Sequence, residues 1–410
     1  MSIARRDRTR LLATALLAAA GLCWTPWIGA TTCEEAASAA PVQWTPAPYP
    51  PGRRVLHVGT GRELKSPSDA ARVARDGDVV EIDAGEYTDT AVWRQNDLWL
   101  RGVNGQPHVT APAQVAEGKA IWVIKGRDVI VENVELSGAR VPSRNGAGIR
   151  AEGRNLTVRA SYFHSNEMGL LTNHDPESTI TVEFSEFAAN GAEDERYHHN
   201  IYIGRVGHFV LRHSYSHGAI RGHLVKSRAR RSEILYNRLE DDETGTASFE
   251  LDLPEGGNAL VIGNVIVQSA GSDNRTLLSY AAENQKQWDN RLTVAFNTFY
   301  SRGIGSLFVS NRSASPALVF NNVFGGAVGL TVVGPATVRG NRLTSRTEFL
   351  DPDRGNYQLA AGVRGINAAL DSPADAPQAI TPVFEPVAPL KSRRRPAHGH
   401  PDIGAFEWCP

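Results

Sequence analysis

From about Val79 to Leu343, apolar and polar residues alternate in short runs broken by Gly, Asn and Ser, and almost no stretch carries the 3.6-residue spacing of a helix. Short strands are therefore expected throughout. Within them one pattern recurs: an aliphatic residue, two variable positions, Asn or Ser, one variable position, then usually a large apolar residue. It reads VRASYF at Ser161, VEFSEF at Ser185, ILYNRL at Asn237, VIGNVI at Asn264, VAFNTF at Asn297, VFNNVF at Asn322 and VRGNRL at Asn341. Looser copies stand at Asn133 (IVENVE) and Ser214 (LRHSYS). By subtraction of these positions, neighbouring copies lie 19 to 33 residues apart, which fits one solenoid coil per copy with loops absorbing the differences.

Nine copies predict an all-β fold, a single-stranded right-handed parallel β-helix, with a short N-terminal capping helix in SPSDAARVA, residues 66 to 74. An Asn or Ser at one equivalent turn of every coil would stack into an internal ladder, because such groups buried without partners cost about 1 to 3 kcal/mol each. The alternative is that these residues merely mark turns.

The ends add organisation. The basic start MSIARRDRTR followed by LLATALLAAAGLCW reads as a secretory leader cleaved after Ala30, so export from a bacterial cell to the periplasm or beyond is expected. The domain reading is a signal peptide over 1–30, a flexible Pro- and Ala-rich tether over 31–53, the capped β-helix over 54–368, and a C-terminal linker with closing segment over 369–410. Within that last part, about 369 to 396 is expected to wrap the surface without regular structure. FLDPDRGNYQL and GHPDIGAFE resemble the closing segments of many secreted bacterial β-helix proteins. Past the leader no apolar run is long enough for a transmembrane helix, and two cysteines remain, Cys33 and Cys409, either bridged or free. With 43 basic against 44 acidic residues and a net charge of -1, an electrostatic grip on nucleic acid is not expected.

Functional residue types concentrate in the middle coils. Eight of the 12 histidines fall between His164 and His223, and that stretch runs into KSRARR and EDDETGTASFELDLPEGG. Period-2 alternation places Phe249, Leu251 and Leu253 inside, with Glu250 and Asp252 outside, and points Asn200 and Tyr202 outward on the preceding strand. Lys226 joins this face only if its strand bulges or ends early. Stacked coils then bring Tyr202, His223, Lys226 and Arg228 together as candidate catalytic residues. Asn173, His199, Asn200, His217, Arg221, Glu250 and Asp252 are candidate substrate contacts. An acid, a base and cations in one groove fit β-elimination on an acidic, uronate-containing polysaccharide, the expected partner of a monomeric chain.

The segment beginning Lys226-Ser227 and running to Tyr236-Asn237-Arg238-Leu239 is similar to one in chondroitinase B and its alginate-lyase relatives, within the broader pectate-lyase-like β-helix group. The resemblance implies that Lys226 is the proton-abstracting base. The family's following Arg-His-Gly strand is replaced here by FELDLPEGG, with Glu250 and Asp252 on it, and no residue here takes over the family's arginine. Glu250 and Asp252 leave alternatives open: a calcium site, or the acids of a glycoside hydrolase or epimerase. A third reading is a polysaccharide-binding protein without catalysis. No other cofactor is expected, since His198, His199, His217 and His223 lack a recognisable transition-metal spacing.

Overall fold

The computed structural model describes residues 31–193, 197–283, 289–326, 329–374, 376 and 379–410; the expected leader lies outside them. Among the described residues, parallel sheets of twelve, eleven and ten strands form the three walls of a right-handed β-helix. The chain visits the walls in rotation. Ten coils, from Val79–Asp83 through Leu330–Val333, contribute one strand to each wall, one more than the repeat copies suggest. At about 4.8 Å per coil the rod is on the order of 50 Å long. Its interior is one stack of Val, Ile, Leu and Phe, with Phe163 and Phe187 facing each other at 4.8 Å between ring centroids.

The ladder is present. Asn237, Asn264, Asn297 and Asn322 each donate a side-chain amide hydrogen to the side-chain oxygen of the next asparagine, ending at Asn341, at 3.0, 2.9, 3.0 and 2.8 Å in turn. Ser161, Ser185 and Ser214 continue it, each hydroxyl accepting from the backbone N–H one coil earlier. Asn133 does not belong to it. The register aligns Val134 with Ser161, and Asn133 instead occupies a left-handed turn position (φ 55°) with its amide donating to Gly102 and Gly105. A second, shorter ladder of Asn166, Asn190 and Asn200 lines another corner.

The helix Pro67–Val73 forms as expected, with Ser66 and Asp69 making a capping box and Pro67 opening the first turn. Ala70 is driven into the core, closing the first coil. Residues 31–53 are not a loose tether. Cys33 is disulfide-bonded to Cys409, Val42 pairs with Ser392, and Tyr49 packs on Trp99 beneath the Arg101 guanidinium. The segment 369–396 also departs from expectation, since Phe384–Val387 and Lys391–Arg394 form an antiparallel hairpin. It lies among C-terminal residues whose Phe349, Tyr357, Ile380, Ile403 and Ala405 bury a second apolar cluster against the outer faces of the last coils.

Candidate functional site

Strands of the ten-stranded sheet break the two-residue alternation. His199 pairs with His223, Ile201 with Val225 and Tyr202 with Lys226, while Leu224 and Val225, adjacent in sequence, are both fully buried. Two successive side chains thus enter the core, and His223 and Lys226, three apart, share the outer face. This is the irregularity that Lys226 required. The same bend governs the next strand, Phe249–Leu253, where Glu250 and Leu251 turn inward and Asp252 outward.

Two expectations fall with it. Glu250 is wholly buried, bonded to Gln268 on the interior side, and burial with the nearby Asp241 charge pushes its carboxyl well above the usual range. It cannot share a calcium ion or a sugar with Asp252, because the two point to opposite sides of the strand. Asn200 likewise faces inward, as a rung of the second ladder.

On the outer face Tyr202, Lys226, Asp252 and Ser279 stand in register on four successive coils. Lys226 Nζ lies 3.3 Å from Asp252 and 3.2 Å from Glu283. Arg228, in the turn just beyond Lys226, donates from Nε to Tyr202 Oη at 3.0 Å. Its remaining nitrogens bond Glu255 at 2.7 Å and Glu283 at 2.6 Å, and Arg205 also bonds Glu255. Burial works against the Arg228 charge, but Glu283 and Tyr202 outweigh it and hold the group above its ordinary value. Burial raises the Asp252 carboxyl, with Lys226 opposing. In Glu283 the order reverses: burial would raise it, yet its contacts with Arg228 and Lys226 bring it below the usual range.

His199 and His223 form the neighbouring column, 4.5 Å apart between centroids. Burial, then surrounding positive charge, pushes both well below the ordinary imidazole value, so both are neutral near pH 7. His223 Nδ1 stands 3.6 Å from Asp252.

The remaining candidates scatter. Asn173 sits in the turn one coil earlier, accepting from Arg150 at 3.0 Å. Arg221 is exposed in the turn leading into His223. His217 lies on the eleven-stranded wall, stacked on Tyr215 and paired with Glu186 at 2.9 Å, so it is no part of this site. Conversely, Arg205, Glu255 and Glu283 belong to the site and carry no repeat signature. Their one sequence signal is placement in the turns just after strands of this wall.

No protein-family model matches the chain, and no curated protein does. Among solved structures, that of pectate lyase Pel9A is similar with a TM-score of 0.60 at 14% identity, over 87% of this chain and 97% of that one. A lacto-N-biosidase of the GH136 group from Eubacterium ramulus aligns at TM-score 0.38 and 13% identity, over 71% and 68% of the two chains. A pectin methylesterase from Aspergillus niger aligns at 0.31 and 10%, over 80% and 96%. The first likeness shows a pectate-lyase-like β-helix fold.

Proposed function

We propose that this chain is an exported polysaccharide-active β-helix that cleaves an acidic, uronate-containing polymer by β-elimination on the outer face of its ten-stranded wall. The observation that carries the reading is the convergence of Tyr202, Lys226 and Arg228 on adjacent coils, with Arg228 bonded to Tyr202. A proton beside a uronate carboxylate is barely acidic until the carboxylate charge is neutralised. Arg228 supplies that neutralisation, and so fills the role left open by the missing family arginine.

Lys226 takes the proton, as the chondroitinase B resemblance implies. To do so it must be the neutral amine, and Asp252, 3.3 Å from Nζ with a carboxyl raised by burial, is placed to accept its proton. Tyr202 Oη then protonates the departing glycosidic oxygen. His199 and His223, both buried, back this column, with His223 Nδ1 3.6 Å from Asp252. A hydrolase or epimerase relying jointly on Glu250 and Asp252 lacks support, because Glu250 faces the core. Export to an oxidising compartment agrees with the Cys33–Cys409 disulfide.

The test is a panel of acidic polysaccharides assayed for the ultraviolet absorbance of an unsaturated uronate end. Wild type is expected to generate it, while Lys226→Ala and Tyr202→Phe lose it. Reducing ends released without that absorbance indicate hydrolysis instead. Saturable binding with neither signal across the panel indicates a binding protein.

A further inference from the structure

A different wall carries a second cluster. On the outer face of the eleven-stranded sheet, His108, Glu135 and His164 come from the strands His108–Thr110, Glu135–Ser137 and Tyr162–His164 of three successive coils. His164 Nε2 lies 2.9 Å from Glu135 Oε1, and His108 Nε2 lies 3.7 Å from the same oxygen. All three groups have a ligand atom within 4.8 Å of the others. Ser137 Oγ adds a fourth polar atom, 2.7 Å from His108 Nε2.

The opposite ring nitrogens are held from outside. His108 Nδ1 lies 2.8 Å from Glu86, and His164 Nδ1 lies 3.2 Å from the Ser165 hydroxyl. An outer partner on one nitrogen, leaving the other aimed inward, is the arrangement that orients metal-bound imidazoles.

We propose that His108, Glu135 and His164 bind a divalent transition-metal ion of the zinc class, with a fourth position left to Ser137 or water. Ligand bonds of about 2.0 to 2.2 Å place tetrahedral donors roughly 3.3 Å apart, within the range spanned by these contacts. Two imidazoles and one carboxylate select zinc, cobalt, nickel or copper over magnesium and calcium. The three groups are 21%, 24% and 22% exposed, so an ion can enter from solvent. Once bound, it would tie three coils together.

The molecule contains its own control. Glu186 and His217 repeat the carboxylate–imidazole pair at 2.9 Å, and Tyr215 stacks on His217 as Tyr162 stacks on His164. One coil before Glu186, however, the position equivalent to His108 is held by Tyr162. The pair is therefore a repeated structural contact, and only the second imidazole converts it into a ligand set.

The experiment is calorimetric titration of the full chain, chelator-stripped and free of a histidine tag, with zinc sulfate alone, alongside cobalt absorption spectra. One ion is expected to bind, giving the visible bands of tetrahedral cobalt. His108→Gln and His164→Gln, which keep a hydrogen-bonding side chain, are expected to weaken it by about 100-fold or more, and Glu86→Gln by about 10- to 100-fold. His217→Gln is expected to leave binding unchanged. Zinc should raise the thermal midpoint of the wild type but not of folded His164→Gln. Absence of saturation in the millimolar range, or binding that survives both histidine substitutions, would overturn the proposal.

Discussion

Glu283 Oε1 lies 3.2 Å from Lys226 Nζ, although the two residues belong to turns and strands two coils apart. Its other oxygen meets Arg228 at 2.6 Å. Glu283 is half-exposed, at 51%, whereas Lys226 and Arg228 are largely enclosed at 10% and 13%. On the proposed reaction, this half-exposed carboxylate occupies the place a uronate carboxylate would take.

Competition between the two makes Glu283→Gln informative. Removing its charge releases one Arg228 nitrogen for a substrate carboxylate, Arg228 keeping Glu255 and Tyr202, so acidic oligosaccharides should bind about 2- to 5-fold more tightly, the scale of one partly exposed ion pair. Arg228→Ala should weaken binding instead. Calorimetry with a uronate oligomer checks both. Unchanged or weaker binding by Glu283→Gln would show that the residue is a contact rather than a stand-in.

Asp241 gives a pH dependence of defined sign. Buried without a partner for Oδ1, and repelled by Asp242, its carboxyl is raised from 3.8 to about 7. Between those values the folded chain keeps a proton that the unfolded chain has released, so this group lowers stability as pH rises. Asp241→Asn should match wild type near pH 4 and exceed it at pH 8, by up to about 4 kcal/mol for a shift of that size. Denaturant midpoints at the two pH values measure it. An equal offset at both would rule out titration of Asp241 as the cause.

The ladder was readable because a side-chain bond along the axis demands the same residue type at the same offset in each coil. It was misread once, at Asn133, for a physical reason. The position below Val134 is Pro107, which has no N–H, so no acceptor is needed there and a Val suffices. The site was only half readable. Simple alternation holds for Tyr202 and Asp252 but fails for Asn200 and Glu250, since the bend that turns two neighbours inward leaves no mark in polarity. Glu255 and Glu283 sit two and three residues past their strands, at the starts of turns of unequal length, so their placement shows only once the strand ends are known. The bridge from Cys33 to Cys409 depends on both termini returning to the same place, which only the folded path shows.

That bridge should matter locally. Cys33→Ser removes the clasp between the N-terminal segment and the C-terminal wrap, at a cost of about 2 to 5 kcal/mol. The coils retain their own core, so the expected result is protease cleavage within about 369–396 before any loss of β-sheet circular dichroism. Simultaneous loss of both signals would mean that wrap and solenoid unfold as one unit.

Asn264 tests whether the ladder stabilises or only decorates the turns. It is fully buried; its amide donates to Asn297 Oδ1 at 2.9 Å and to the Ile234 carbonyl at 2.7 Å, and its oxygen accepts from the Asn237 backbone at 2.8 Å. Asn264→Ala strands those partners inside the core, and Asn264→Leu adds bulk as well. A loss of about 2 to 4 kcal/mol is expected for the alanine variant, from unpaired buried groups at about 1 to 3 kcal/mol each. Asn264→Ser should recover part of it, because Ser185 and Ser214 show that a hydroxyl can accept the same backbone bond. Equilibrium unfolding of the three variants decides the matter: equal stability of Ala and Ser would mean that the amide-to-amide contacts, rather than the backbone acceptor, carry the ladder's contribution.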